Sequence, residues 1–319
     1  MTALAKPDLA PLERSARAGL SAADAIGAAV LRTLAYADVF DFALREPEVH
    51  RYLIGVRATP DDVAGALADL RDRIVCRDGL VALTGREALL ATRQERRAIA
   101  ARTWPHALRY ARTVGSLPFV RMVGVTGALA VGNATEGADI DLLIVAATGR
   151  VWTARAATIG VVRLAARRGI ELCPNYVIAE RRLEEDAQDL YAAHELAQLV
   201  PVTGFGVYRR LLAANPWVAR HLPNAAGAPF GNRSRREPVL HVARSAMELA
   251  LHARLGAALE GAEQRRKIPR LTAQAHARGA TAEAAYTADR CKGHVHGHAD
   301  RIRDAYKARV TALGLEPGW

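Results

Sequence analysis

Over the first hundred positions the apolar residues recur at the spacing of short amphipathic helices and then switch to the alternation of a hairpin. From Ala25 to about Tyr36 they fall at helical intervals, and "REPEVHRYLIG" repeats the pattern over a shorter stretch with Pro47 near its start. A third helix is predicted where Thr59 supplies an N-cap hydroxyl ahead of Pro60, Asp61 and "VAGALADLRD". "RIVCRDGLVALTG" then reads as two strands turning at Asp78-Gly79. Three helices and a hairpin in this order predict a winged helix over residues 25–100, behind a flexible tail at 1–24.

Beyond it, "REALLATRQERRAIAARTWPHALRYARTV" is a basic helical stretch expected to be interrupted near Pro105. Strand and helix patterns then alternate. "FVRMVGVTG" and "ADIDLLIVAA" read as buried strands, "RVWTARAATIGVVRLAARR" as an amphipathic helix and "IELCPNYVIA" as a third strand, an α/β core spanning 101–182. From Leu183 onward only helical periodicities are apparent, so 183–319 is expected to be a helical C-terminal domain, broken by the boundary or lid loop "LPNAAGAPFGNRSRREP". The fold class predicted is α+β.

Composition narrows the function classes. No stretch approaches the roughly 18 uncharged apolar residues of a membrane span, so no membrane partner is expected. Cys76, Cys173 and Cys291 lie far apart without paired spacing, which speaks against a disulfide framework or a zinc knuckle and fits a cytoplasmic protein. The formal charge of +11 would attract nucleic acid or nucleoside triphosphates. Nucleic acid is the less favoured partner, because the third helix of the winged helix carries Asp61, Asp62, Asp69 and Asp72, which repel phosphates.

The chemistry is concentrated in "VTGALAVGNATEGADIDLLIV", residues 125–145. Asp139 and Asp141 stand two apart at the head of a strand, so both carboxylates project from one face. Two such carboxylates suit magnesium, which takes its remaining ligands from water and substrate phosphate. Ahead of them Thr126-Gly127 ends one strand and opens a short helix, where a glycine lets backbone N–H groups approach phosphate oxygens.

On these residues the segment resembles the signature of DNA polymerase β-like nucleotidyltransferases, a Gly-Ser pair followed about a dozen residues later by Asp-x-Asp. Gly127, Gly132, Asn133, Ala134, Asp139, Ile140, Asp141 and Leu142 fall on its fixed or typical positions. The resemblance covers some 60 residues from Phe119 to about Ile178. Over more of the chain, "LCPNYVIAE", "YAAHELAQLVP" and "NPWVARHLPN" are similar to bacterial winged-helix-bearing nucleotidyltransferases of undefined acceptor. The resemblance implies a polymerase β-like mixed sheet, a two-metal magnesium site on Asp139 and Asp141, and transfer of a nucleoside monophosphate from a triphosphate to an acceptor hydroxyl with release of pyrophosphate. It implies nucleotide contacts at Gly127, Ala128, Gly132 and Asn133, with Arg155 as a further phosphate candidate. The signature serine is Ala128 here, and a basic residue often found before the second glycine is Val131. A third carboxylate is implied on a neighbouring strand; Glu171 is the favoured candidate and Glu195 the other.

Other signals are weaker. His294, His296 and His298 alternate without an acidic or cysteine cluster and read as a surface or interface rather than metal ligands, with a substrate contact as the alternative for His294. His194-Glu195 lacks the second histidine of a metalloprotease helix, and no P-loop or Rossmann glycine pattern is present. Arg233, Arg235 and Arg236, with Gln264, Arg265, Arg266 and Lys267, read as solvated faces, and Tyr191 and Trp217 as core aromatics. The leading expectation is a nucleotidyltransferase. Its rivals are a catalytically degenerate nucleotide- or DNA-binding regulator and an antitoxin-like partner-binding protein.

Overall fold

The computed structural model describes residues 21–229, 241–250, 254–277, 285–293 and 298–316. The chain is α+β and divides into two compact units: one of Met1–Gln94, Trp217–Ala226 and Ile302–Trp319, the other of Glu95–Pro216 and Gly227–Arg301, as far as these residues are described. Among the described residues no helix is long and apolar enough to cross a membrane. Most of the expected tail, residues 1–20, lies outside the described residues, as do Arg233, Arg235, Arg236, His294 and His296.

In the first unit the local signals act as read. Helix α1 (Ala22–Asp38) opens on a capping box in which Ser21 accepts from Asp24 N–H and Asp24 from Ser21 N–H. β1 (Leu44–Arg45) and α2 (Glu46–Arg51) follow, then α3 (Pro60–Asp69), whose Thr59 and Asp62 form a second capping box. β2 (Ile74–Arg77) and β3 (Leu80–Leu83) pair antiparallel across Asp78 and Gly79, both at positive φ as a two-residue hairpin turn requires. The resulting sheet has the order β1-β3-β2. Asp38, nearly buried, ties the unit together by accepting from Arg86 Nε at 2.5 Å and Arg309 Nε at 2.6 Å.

α4 (Ala88–Gly115) is one continuous helix, which corrects the expected interruption at Pro105. Pro105 is exposed, and so is Ala101, whose carbonyl the proline leaves without its N–H partner; water can satisfy it.

The second unit is built on a six-stranded mixed sheet. Its elements are β4 (Val120–Val125), α5 (Gly127–Val131), β5 (Ile140–Ala146), α6 (Val151–Ala166), β6 (Leu172–Ala179), α7 (Leu190–Gln198), β7 (Val200–Thr203) and α8 (Phe205–Ala214). After α9 (Val218–His221), which belongs to the first unit, come α10 (His241–Ala250), α11 (Arg254–Ala277), β8 (Ala285–Tyr286), β9 (Arg290–Lys292) and α12 (His298–Ala312), the last belonging to the first unit from Ile302 onward. The strand order is β7-β4-β5-β6-β9-β8, with β5 and β6 parallel and the other pairs antiparallel. The expectation of a purely helical region after Leu183 is therefore wrong: β7, β8 and β9 flank the sheet on both sides. Strands of two to four residues carry too little alternation to register as a period.

β4 and β5 are almost wholly apolar because both their faces are covered; Val123, Val125, Ile140, Leu142 and Ile144 are each 1% exposed or less. α6 packs on β6, and α11 packs on α6. The N-terminus of α6 has no side-chain cap of its own. Glu260 of α11, nearly buried, accepts instead from Trp152 N–H at 3.0 Å and from Thr153 N–H and hydroxyl at 2.8 and 2.7 Å.

Candidate functional site

The site forms where β4 ends and β5 begins. Thr126 N–H donates to the Asp141 carbonyl at 3.0 Å, which holds the turn after β4 against the start of β5. Gly127 follows at φ +67°, and a Cβ there would come within 2.4 Å of Asp141 Oδ2. The carboxylate of Asp141 thus lies directly on the glycine backbone, an approach that only glycine permits.

β6 supplies the other wall. Ile140 N–H bonds the Glu171 carbonyl at 2.9 Å, and Asp141 stands beside Cys173 in the parallel register. The register then slips, so that Leu143 pairs with Tyr176. Cys173 and Asn175 both reach Asp141: Asn175 Nδ2 donates to Asp141 Oδ1 at 2.9 Å, and the Cys173 thiol hydrogen-bonds Asp139 and Asp141. One ligand atom each of Asp139, Asp141 and Cys173 lie within 4.8 Å of one another. Asp139 is exposed, and the other two are half-buried.

Charge crowding shows in the acidities. Burial, then the charges of Asp139 and Glu195, push the Asp141 carboxyl up to about 7 against the opposing hydrogen bonds of Cys173 and Asn175. Glu195 on α7 is also raised to about 7 by burial, with Lys292 opposing and Glu185 adding to the effect. Burial and the two aspartates push Cys173 up to about 12, so at neutral pH it is a thiol that donates to the carboxylates. Behind Glu195, Lys292 Nζ pairs with nearly buried Glu185 at 3.2 Å, and Arg290 pairs with Asp186 and donates to the Glu184 carbonyl at 3.0 Å.

No family model, curated protein or solved structure matches the chain. The geometry of the site therefore carries the functional argument by itself.

Of the residues singled out from sequence, Asp139, Asp141 and Gly127 are brought together. Ala128 is exposed at the second position of α5, and Gly132 closes that helix at φ +74°. Asn133 is nearly buried; its N–H bonds the Ala128 carbonyl at 2.8 Å, and its Oδ1 accepts from Arg96 at 3.1 Å, so its visible role is to lock the turn. Glu171 is exposed one residue ahead of β6, and its carboxylate is not among the acids that act on Asp141. The acid that does so beyond Asp139 is Glu195, the second of the two sequence candidates. Cys173 was missed as a site residue, although it shares strand parity with Asn175 beside the aspartates.

The remaining candidates lie elsewhere. His194 is nearly buried with Nδ1 3.0 Å from the Leu190 carbonyl, His298 meets Tyr191 edge-on at 5.8 Å, and Trp217 is buried in the first unit. Arg265 and Arg266 are exposed, Lys267 is half-buried, and Gln264 bonds Glu260 at 3.0 Å.

A cleft of about 260 Å³ opens on the β6 side of the carboxylates, walled by β6, α6, α11 and the β8–β9 hairpin. Cys173 and Asn175 line it as well as touching Asp141, so cleft and carboxylates share a wall. Arg155 of α6 lines it too.

Proposed function

We propose that the second unit is a metal-dependent nucleotidyltransferase core of the polymerase β-like type, and that the first unit is a winged helix. Support for the winged helix comes from the order of three helices, a short strand and a hairpin, with the sheet order β1-β3-β2. The observation that carries the transferase reading is the close set of Asp139, Asp141 and Cys173, with the glycine turn lying on Asp141.

The donor set fits a hard divalent cation. Asp139 and Asp141 offer oxygen ligands and Asn175 orients the latter, the donor chemistry that magnesium prefers. Asp139 and Asp141 would hold magnesium, which when bound supplies charge neutralisation at the α-phosphate. Gly127 lets the Asp141 carboxylate lie against the turn backbone, which brings the backbone N–H groups of that turn beside the metal ligands as phosphate donors, and the exposed Ala128 adds no hydroxyl there. Glu195, with a carboxyl near neutrality, is suited to take the proton of the attacking hydroxyl. The hydroxyl oxygen forms the new bond to the α-phosphorus, the bond to the bridging oxygen breaks, and its electron pair leaves with pyrophosphate.

The test is pyrophosphate release from each of the four labelled nucleoside triphosphates with magnesium. Asp139→Ala and Asp141→Ala should abolish it with the circular dichroism spectrum unchanged; turnover undiminished in both variants refutes the assignment. A second reading, a binding protein with a degenerate transferase core, draws on Ala128 in place of serine and on Cys173 and Asn175 on the strand where a third carboxylate was expected. It predicts triphosphate binding that depends on Asp141 without any release of pyrophosphate.

A further inference from the structure

Arg155 is the cation of the cleft, and its surroundings are unusual. Its Nε is buried without a hydrogen-bond partner. Among the other arginines with a buried Nε, Arg45 and Arg93 pair with Glu48, Arg244 lies against Glu248, and Arg51 donates to the Ala226 carbonyl. No carboxylate among the described residues stands within ion-pair distance of Arg155; its guanidinium meets the thiol of Cys291, a weak acceptor, and lies over the Trp152 ring 5.8 Å from its centroid, a contact that supplies no counter-charge. A half-buried guanidinium without a counter-charge is costly, and an arriving anion relieves that cost.

The position of the cleft says which substrate the anion belongs to. In the sheet order β4-β5-β6-β9, the glycine turn after β4 lies on one side of Asp141, and the cleft, walled by β6 and β9, lies on the other. An in-line displacement at phosphorus has its leaving group and its nucleophile on opposite sides. With the outer phosphates at Gly127, the nucleophile approaches from the β6 side. At about 260 Å³ the cleft is of the size that receives a small molecule.

We infer that the cleft is an anion site centred on Arg155, and that it receives the acceptor: a small molecule bearing a carboxylate or phosphate group beside the hydroxyl that attacks. The second half rests on the transferase reading; the first does not. Arg155 is thereby reassigned from the triphosphate to the acceptor, with Gln274 and Tyr286 as polar groups of the same cleft. The bond changes are those already described, the acceptor hydroxyl losing its proton to Glu195 as its oxygen joins the α-phosphorus.

Equilibrium dialysis of the full chain against labelled inorganic phosphate, and separately against labelled acetate, at constant ionic strength reads the anion site without nucleotide. The expected result is saturable binding of at least one ion, weakened about tenfold or more by Arg155→Met and at least as tight in Asp141→Asn, which removes a nearby negative charge. Absence of saturable binding to wild type, or equal binding by a folded R155M, overturns the site. Should R155M fail to fold, Gln274→Glu brings a competing carboxylate from an exposed helix position and is expected to cause the same loss; binding unchanged in that variant overturns the site as well. The acceptor half is read by pyrophosphate release in the presence of small hydroxy acids, sugar phosphates and their neutral counterparts. Stimulation by anionic compounds alone, with the acceptor KM raised in R155M and the nucleotide KM unchanged, supports it, and the better class identifies carboxylate or phosphate. Equal stimulation by neutral compounds, or a raised nucleotide KM in R155M, overturns it. Phosphate binding at Arg155 with no pyrophosphate released under any condition overturns the acceptor assignment together with the transferase reading, and leaves the anion site standing.

Discussion

Replacing Asp141 by asparagine should stabilise the metal-free protein at neutral pH while removing its cation site. The carboxyl of Asp141 has an ordinary value of 3.8 and is raised to about 7 in the fold by burial and by the charges of Asp139 and Glu195. Between those two values the folded chain keeps a proton that the unfolded chain has released, so stability falls as pH rises through this window and levels off above about pH 7. At 1.36 kcal/mol per unit the full loss is on the order of 4 kcal/mol, of which about 3 falls between about pH 5 and pH 8. The substituted amide has no proton to lose. It keeps a side-chain oxygen to accept from Asn175 and the shape that lies against Gly127.

Thermal melts of wild type and Asp141→Asn in chelator-treated buffer across this range test the argument. The two curves should start close together at acid pH and separate as it rises, the variant ending higher by about 6–12 °C for a domain of this size. A residual decline remains in the variant, because Glu195 is raised in the same direction for its own reasons of burial. Magnesium should close the gap by stabilising only the wild type, and more strongly above about pH 7, where Asp141 is ionised. Parallel curves without metal would refute the claim that burial, with the charges of Asp139 and Glu195, holds the Asp141 carboxyl well above its ordinary value.

Gly127→Ala should lose magnesium binding and turnover together, since a methyl group 2.4 Å from Asp141 Oδ2 displaces that carboxylate, and the residue's positive φ adds about 1–2 kcal/mol of strain; titration calorimetry with magnesium and a melt separate the two effects. Glu260→Ala should cost about 2–4 kcal/mol in urea unfolding, because it orphans the Trp152 and Thr153 N–H groups at the start of α6, whereas Glu260→Gln should recover part of the loss. Asp38→Ala should cost about 2–4 kcal/mol by removing the carboxylate that Arg86 and Arg309 share; Arg86 keeps its pair with Asp41 and both arginines are partly exposed, which keeps the loss below that of a fully dry pair, and a second Arg86→Ala change should be less than additive in the same melt.

The parts of this protein that were legible in sequence are those specified within a few residues of one another. Ser21 with Asp24 and Thr59 with Asp62 announce helix starts, Asp78-Gly79 announces a turn, and Asp139-x-Asp141 before an apolar run announces a strand bearing two carboxylates. What stayed hidden depends on pairing between distant segments. β7, β8 and β9 exist because the edges of an established sheet recruit them, and nothing in two to four residues of sequence encodes the recruiting edge. The third acid shows the same limit. Strand parity placed Glu171 on the face of Asn175, but β6 begins only at Leu172 and its register slips past Asp141, which leaves Glu171 in solvent and sets Cys173 and Asn175 beside the carboxylate. Glu195 reaches Asp141 electrostatically from α7, a helix distant in sequence that packs on the short helix of the glycine turn, and its local signal was an acid in a segment whose neighbours Ala192, Ala193, His194, Leu196 and Ala197 are all buried. A charge placed in such an apolar setting has a partner or a purpose supplied from outside its own helix, and the same reasoning applies to Arg155. In both cases the informative feature is the cost of the burial, which spacing along the chain does not report and packing does.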